Sequence, residues 1–266
     1  MIRASALAAL GLLTVVGAGC SRSAREVPPR PDEAVAARAA VDALLLDAAT
    51  MPADGSMSVF DAAAPTAPTV SIIDAPMRWT DERARLTLDY RRAHSDGAAA
   101  DLVIEPRVIV LHYTGGGSAK GTRGYFDNVR IEASRKELAR AGAVNVSAHF
   151  VVDRDGTIYR LQPETRFARH CIGLNHLAIG IENVGDEAKW PLTDAQVAAN
   201  VALVRDLVAR FRITHLLGHH EVMAFRDHAY YVERDPGYRN SKSDPGNRFM
   251  GRVRAELADL QLAGLP

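Results

Sequence analysis

The hydrophobic pattern of the chain changes at about residue 71, after which short apolar runs alternate with longer amphipathic segments. A continuous apolar run at 107–114 is typical of a β-strand that is buried on both faces. Further strands are predicted at 177–184 and 215–219, and a hairpin at 149–161 is predicted to turn at residues 153–156.

Helical periodicity is clearest in residues 193–213. Thr193 and Gln196 form a capping-box pattern at the start of this segment. Apolar residues at helical spacing then indicate a face that packs on a core, namely Val197, Val201, Val204, Val208 and Phe211. Two more helices are predicted at 122–141, closed by Gly142, and at 247–260. This order of elements predicts an α/β fold over residues 71–266, with a central mixed β-sheet flanked by helices.

The first 19 residues have the pattern of a signal peptide, with Arg3 before a short apolar stretch at 7–16 and small residues before Cys20. Small residues ending in Cys resemble a bacterial lipoprotein signal, in which this Cys becomes the lipidated N-terminus. An ordinary signal peptide is the alternative. Ser21 suggests, by the same resemblance, an exported protein anchored at the periplasmic face of the outer membrane. Residues 20–70 are predicted to be a tether and linker that contains a helix at 33–48.

The composition is that of a globular protein and argues against one class of partner. The 266 residues are 47% hydrophobic and 24% charged, with a formal net charge of zero. Because a duplex-binding module is usually basic, nucleic acid is not an expected partner. If Cys20 is acylated, Cys171 has no partner for an internal disulfide, and we interpret it as a small buried hydrophobe.

Two imidazoles and a carboxylate near the ends of apolar runs have the side-chain types of a catalytic zinc site. His112 ends the apolar run at 107–114. Either His219 or His220 could supply the second imidazole, and an Asp-Pro-Gly sequence occurs both at 235 and at 244. Three protein ligands of these types would leave one coordination position open for water, which distinguishes catalytic from structural zinc.

Three further charged residues are candidates for roles beside this zinc site, namely Lys242, Glu182 and Glu221. Lys242 lies two residues before Asp244, so in an extended stretch both side chains point to one face. Glu182 lies in an otherwise apolar strand, on the face opposite Ile179 and Ile181, and is either a general base or one partner of a salt bridge at the sheet edge. Glu221 could accept a ring N–H from a ligand histidine.

These residues belong to an ordered set of short motifs that resembles the zinc-dependent N-acetylmuramoyl-L-alanine amidases and the related peptidoglycan recognition proteins. The resemblance runs from about residue 75 to the C-terminus. Its motifs are His112-Tyr113-Thr114, Val146-Ser147-Ala148-His149-Phe150, Asp155-Gly156, Ala178-Ile179-Gly180-Ile181-Glu182, Gly218-His219 and Lys242-Ser243-Asp244-Pro245-Gly246.

The resemblance implies one zinc ion held by His112, His219 and Asp244, with Glu182 and Lys242 as the catalytic pair. It also implies that the sugar-peptide junction of the substrate binds at two further residues, His170 and Asn175. Near them the chain has Ala-Arg-His-Cys-Ile-Gly where the family often has Ala-Trp-His-Ala-Gly.

The implied reaction is hydrolysis of the amide bond between N-acetylmuramic acid and L-alanine in peptidoglycan or muropeptides. Glu182 would take the proton of the attacking water, and Lys242 would stabilise the oxyanion. Two alternatives are a peptidoglycan-binding lipoprotein without catalysis and an amidohydrolase that cuts within the stem peptide. Residues 223–241, which are longer than the loop typical of the family, are predicted to form a wall of the substrate groove.

Overall fold

The computed structural model of the protein describes residues 70–265. The predicted signal peptide, Cys20, and the tether up to residue 69 lie outside the described residues. In the part of the chain that is described, no helix combines the length and the apolar character needed to cross a bilayer.

A mixed β-sheet of six strands forms the centre of the described region, in the spatial order β1-β4-β3-β5-β2-β6. Only β3 and β4 are antiparallel neighbours, and all other neighbouring pairs are parallel. The predicted fold class and the predicted hairpin are therefore confirmed. The strands are β1 (Ile72–Asp74), β2 (Val108–Tyr113), β3 (Phe150–Val152), β4 (Ile158–Arg160), β5 (Ala178–Asn183) and β6 (His215–Gly218).

Helices flank this sheet, and the longest confirms the periodicity of the sequence. The helix α4 begins after Thr193, whose side chain accepts a hydrogen bond from the backbone N–H of Gln196, and the capping box is complete. The helices are α1 (Asp81–His94), α2 (Ala119–Phe126), α3 (Lys136–Ala141), α4 (Asp194–Arg210) and α5 (Asn247–Glu256), with 3-10 helices at His219–Asp227 and Ala258–Leu260.

The two faces of the central strands have different roles. On one face, Ile109 and Leu111 of β2 pack with Ile179 and Ile181 of β5 in a core cluster. The same cluster contains apolar residues of the two covering helices, among them Leu203, Leu207 and Val253. Because side chains alternate along a strand, His112 and Glu182 project from the opposite face.

The prediction of a single helix at 122–141 was wrong. The chain forms α2 and α3 instead, and α3 ends at Gly142 as expected. Between them, Ile131 donates its backbone N–H to Ala143, and Arg130 forms a bridge with Val144. This segment is therefore extended because it pairs with the chain that follows α3, which a helical pattern does not reveal.

Candidate metal centre

Three adjacent parallel strands bring the candidate residues together. His112 on β2 and Glu182 on β5 are direct partners in the strand register. His219 follows the last residue of β6, which lies on the other side of β2. Asp244 lies just before α5, and the backbone N–H of His220 donates to its carbonyl oxygen. Residues far apart in sequence thus meet above one face of the sheet.

His112, His219 and Asp244 form a compact triangle of donor atoms, and all three residues are buried. The two Nδ1 atoms are 3.0 Å apart, and they lie 3.2 Å and 3.1 Å from Oδ2 of Asp244. Ligand atoms about 2.0–2.1 Å from a tetrahedral zinc ion lie about 3.3 Å from one another. The triangle therefore has nearly the size that zinc requires, and its donor types fit that ion.

The electrostatics of the triangle favour a cation. Burial would raise the pKa of Asp244, but hydrogen bonds with the two histidines hold it well below its ordinary value. Burial and the neighbouring His112 lower the pKa of the His219 ring to about 4. At neutral pH the triangle therefore offers an ionised carboxylate and, in His219, a neutral imidazole, which is the form that binds a metal. Burial opposes ionisation of His112, but its hydrogen bond to Asp244 and the charge of Glu182 raise the pKa of this ring, so the site favours positive charge.

The two choices that the sequence left open are separated by geometry. His220 points away from the triangle, and its ring nitrogens contact the carbonyl oxygen of Asp244 and Oδ1 of Asn247. Asp235 accepts the backbone N–H of Gly237 and so stabilises a turn in the long segment before Lys242. The structure therefore groups His219 and Asp244 with His112.

Glu182 is placed beside this triangle in an environment that alters its acidity. Its Oε2 atom is buried and has no hydrogen-bond partner among the described residues. Burial raises the pKa of this carboxyl to about 7, although His112 and Lys242 act in the opposite direction. A carboxylate with this pKa beside a candidate metal site is suited to accept a proton near neutral pH.

A cleft of about 620 Å³ opens onto the triangle. Its lining includes both Glu182 and Lys242. Three residues of the long segment at 223–241 also line it, namely Tyr238, Asn240 and Ser241, so the C-terminal end of that segment forms part of the cleft wall. Phe225, near its start, packs in a hydrophobic cluster instead. Sequence reasoning missed Arg135, which lines the cleft and donates to the hydroxyl oxygen of Tyr125 at 2.8 Å, since no motif or periodicity marks it.

His170 and Asn175 also line the cleft, and the side chain of each contacts other groups of the protein. The His170 ring contacts Nε2 of His112 at 3.0 Å. The side-chain oxygen of Asn175 accepts the backbone N–H groups of His170 and Cys171, at 2.9 Å and 2.7 Å. Their role in binding substrate stays a prediction.

Cys171 and Glu221 lie near the triangle but do not belong to it. Cys171 is buried and packs in a hydrophobic cluster, as expected. The expected contact between Glu221 and a ligand histidine was wrong. The Glu221 carboxylate accepts the backbone N–H of Gly218 and pairs with both terminal nitrogens of Arg254, at 2.6 Å and 2.7 Å. It thereby fixes the backbone just before His219.

Comparison with known proteins identifies the family. Residues 103–247, more than half of the chain, match the model of the family described as N-acetylmuramoyl-L-alanine amidase. The endolysin of Escherichia phage T7 is 33% identical over 100 residues, which are 36% of this chain and 66% of that protein. The endolysin of Enterobacteria phage T3 is 32% identical over 100 residues, which are again 36% of this chain and 66% of the endolysin.

Among solved structures, the N-acetylmuramoyl-L-alanine amidase LysC from Clostridium intestinale is similar at 24% identity. The match covers 71% of this chain and 97% of LysC, with a TM-score of 0.45. The region matched by the family model contains all three residues of the metal triangle and also Glu182 and Lys242. The chain belongs to the N-acetylmuramoyl-L-alanine amidase family.

Proposed function

We propose that this protein is a zinc-dependent amidase that hydrolyses the bond between N-acetylmuramic acid and L-alanine in peptidoglycan or muropeptides. The observation that carries the proposal is the buried triangle of His112, His219 and Asp244, with the Glu182 carboxyl beside it in the same cleft. Family membership supports the choice of substrate. The curated relatives are matched over 66% of their own length.

A zinc ion bound by the triangle would supply Lewis-acid activation of the water and of the scissile carbonyl. Glu182 would accept a proton from the attacking water, since its raised pKa matches a base that works near neutral pH. The oxygen of the water adds to the carbonyl carbon, and the C–N bond then breaks. Glu182 would return the proton to the departing amine of L-alanine, which restores the carboxylate for the next turnover.

Lys242 would stabilise the negative charge that develops on the carbonyl oxygen. It lines the cleft, and its positive charge is close enough to lower the pKa of both Glu182 and His219. A well-placed donor to an oxyanion contributes about 3 kcal/mol to the lowering of the barrier. Loss of this charge should therefore reduce the rate by a factor on the order of a hundred.

Mass spectrometry of digested sacculi tests the proposal. The zinc-loaded protein should release intact stem peptides and leave glycan chains without them. Shortened stem peptides would indicate an amidohydrolase that cuts within the stem, and binding without cleavage would indicate a recognition module. Glu182→Gln is the matched control, because it keeps the size of the side chain and removes the base. This variant should retain zinc and lose turnover.

We also propose that Cys20 carries a lipid that anchors the exported protein to the periplasmic face of the outer membrane. The signal-like pattern that ends at Cys20 supports this anchor, and a protein in the periplasm has access to a cell-wall substrate. Metabolic labelling with palmitate should mark the wild type and leave Cys20→Ser unlabelled, while the rate on a soluble muropeptide stays the same. Equal labelling of the wild type and of the variant would contradict the anchor.

A further inference from the structure

The His170 ring lies between the metal triangle and the sheet, and both of its nitrogens have partners in the protein. Its Nδ1 is 3.0 Å from Nε2 of His112, and its Nε2 is 3.2 Å from the carbonyl oxygen of Ala178 on β5. These two contacts form a chain of hydrogen bonds from the backbone of β5 through His170 to a residue of the triangle.

The direction of this chain follows from the one group in it that cannot donate. A carbonyl oxygen only accepts, so Nε2 of His170 carries the hydrogen. In a neutral ring, Nδ1 of His170 is then an acceptor, and it takes the hydrogen on Nε2 of His112. Nδ1 of His112 is then the ring nitrogen that faces His219 and Asp244. In the metal-free site it donates to the Asp244 carboxylate, and once that hydrogen is lost its lone pair is available to a metal ion while Nε2 stays bound to His170.

We infer that His170 is a positioning residue, which holds His112 in the tautomer and ring orientation that zinc binding needs. This inference rests on the proposed function, and it changes the role that the family resemblance suggested for His170. Since both ring nitrogens are engaged within the protein, the ring has no free polar atom to offer a sugar or a peptide.

The protein fixes this ring from two sides. The backbone of His170 is bound by the side-chain oxygen of Asn175. The ring itself rests on Gly180 of β5, where an added Cβ would lie only 2.7 Å from two ring atoms. Glycine at position 180 therefore provides the space that the ring occupies. Asn175 and Gly180 together hold His170 in line with His112.

Zinc affinity, measured by competition with a chelator at one fixed pH, tests the inference. His170→Ala removes the acceptor for His112, and we expect zinc binding to weaken by about 10–100-fold, as is typical when such a partner of a ligand histidine is lost. His170→Asn should restore most of the affinity, because the asparagine oxygen can stand close to the position of Nδ1. The matched control is His176→Ala, which removes a partly buried histidine of the same segment whose Nδ1 has no hydrogen-bond partner among the described residues.

The tautomers can also be read in the unmodified protein, which avoids any effect of a substitution on folding. Long-range proton–nitrogen NMR correlations of the zinc-loaded protein should place the hydrogens of both His112 and His170 on Nε2. A hydrogen on Nδ1 of His170, or equal zinc affinity in the wild type and in His170→Ala, would overturn the inference. If the wild type itself bound no zinc, the proposed function would fail as well, so the two failures are distinguishable.

Discussion

Glu182 is the residue whose chemistry depends most on its surroundings. The sequence shows only a carboxylate in an apolar strand, for which a salt bridge at the sheet edge is as good an explanation as a catalytic base. In the structure, Oε2 has no hydrogen-bond partner among the described residues, and burial raises the pKa of the carboxyl to about 7. The position therefore favours catalysis over stability.

The raised pKa of the Glu182 carboxyl should appear in the pH dependence of the free energy of unfolding of the metal-free protein. The folded-state pKa of about 7 lies above the ordinary value of 4.5, so the group favours folding below about pH 4.5 and this contribution is lost as the pH rises through 7. Glu182→Gln, which does not ionise, should therefore gain roughly 1–3 kcal/mol relative to the wild type between about pH 4.5 and pH 8. Urea unfolding at the two pH values measures this gain. An equal difference at both would contradict the raised pKa.

The two Asp-Pro-Gly sequences provide a matched pair for the metal site. Asp244 lies in the triangle, whereas Asp235 stabilises a turn. Asp244→Ala should reduce bound zinc to well below one equivalent, because it removes the only charged ligand of the three. Asp235→Ala should bind zinc like the wild type. Metal analysis of the two purified variants decides the point, and the reverse pattern would refute the assignment of Asp244.

At the scale of elements, periodicity in the sequence predicted those parts whose packing is local and regular. The buried run of β2, the hairpin and the capped helix α4 were all predicted from the sequence. The break between α2 and α3 was not, because it depends on pairing between segments separated by a short helix. Helix α1 was not predicted, since two of its buried residues, Arg83 and His94, are polar and bind the carbonyl oxygens of Phe126 and Ala141.

The ion pair of Glu221 with Arg254 links the 3-10 helix at His219–Asp227 to α5. It should contribute more to the free energy of unfolding than an ion pair on the surface. Arg254→Met would leave the Glu221 carboxylate, whose side chain is 7% exposed, without its positively charged partner. We expect a loss of about 2 kcal/mol in the free energy of unfolding, the usual cost when a buried acceptor loses a hydrogen-bond donor. Arg252→Met is the matched control on the same helix, because Arg252 pairs with an exposed aspartate, and its loss should stay below about 1 kcal/mol. Equal losses in denaturant unfolding would show that the buried pair has no special role.

At the scale of the whole described region, one face of the sheet packs a hydrophobic core and the other combines packing with the candidate site. One face carries the core beneath α4 and α5. The other carries the triangle and the cleft, together with a second hydrophobic cluster that includes Val108 and Val110 of β2. The ordered motifs of the sequence were sufficient to predict the residues that meet there. They did not show how the segment at 223–241 is held, because its anchors are contacts with distant residues. Oε1 of its Glu233 lies 2.8 Å from Nδ1 of His94 on α1, and Arg169 donates to the hydroxyl oxygen of its Tyr238 at 3.0 Å.

Hydrolysis of a defined muramyl peptide in water enriched in the heavy oxygen isotope tests the central claim most directly. If the zinc-loaded protein cuts the amide as proposed, mass spectrometry will find the label in the new lactyl carboxylate of N-acetylmuramic acid, beside an unlabelled peptide that begins with L-alanine. Label in a peptide fragment, or an uncut substrate in the presence of bound zinc, would contradict the account.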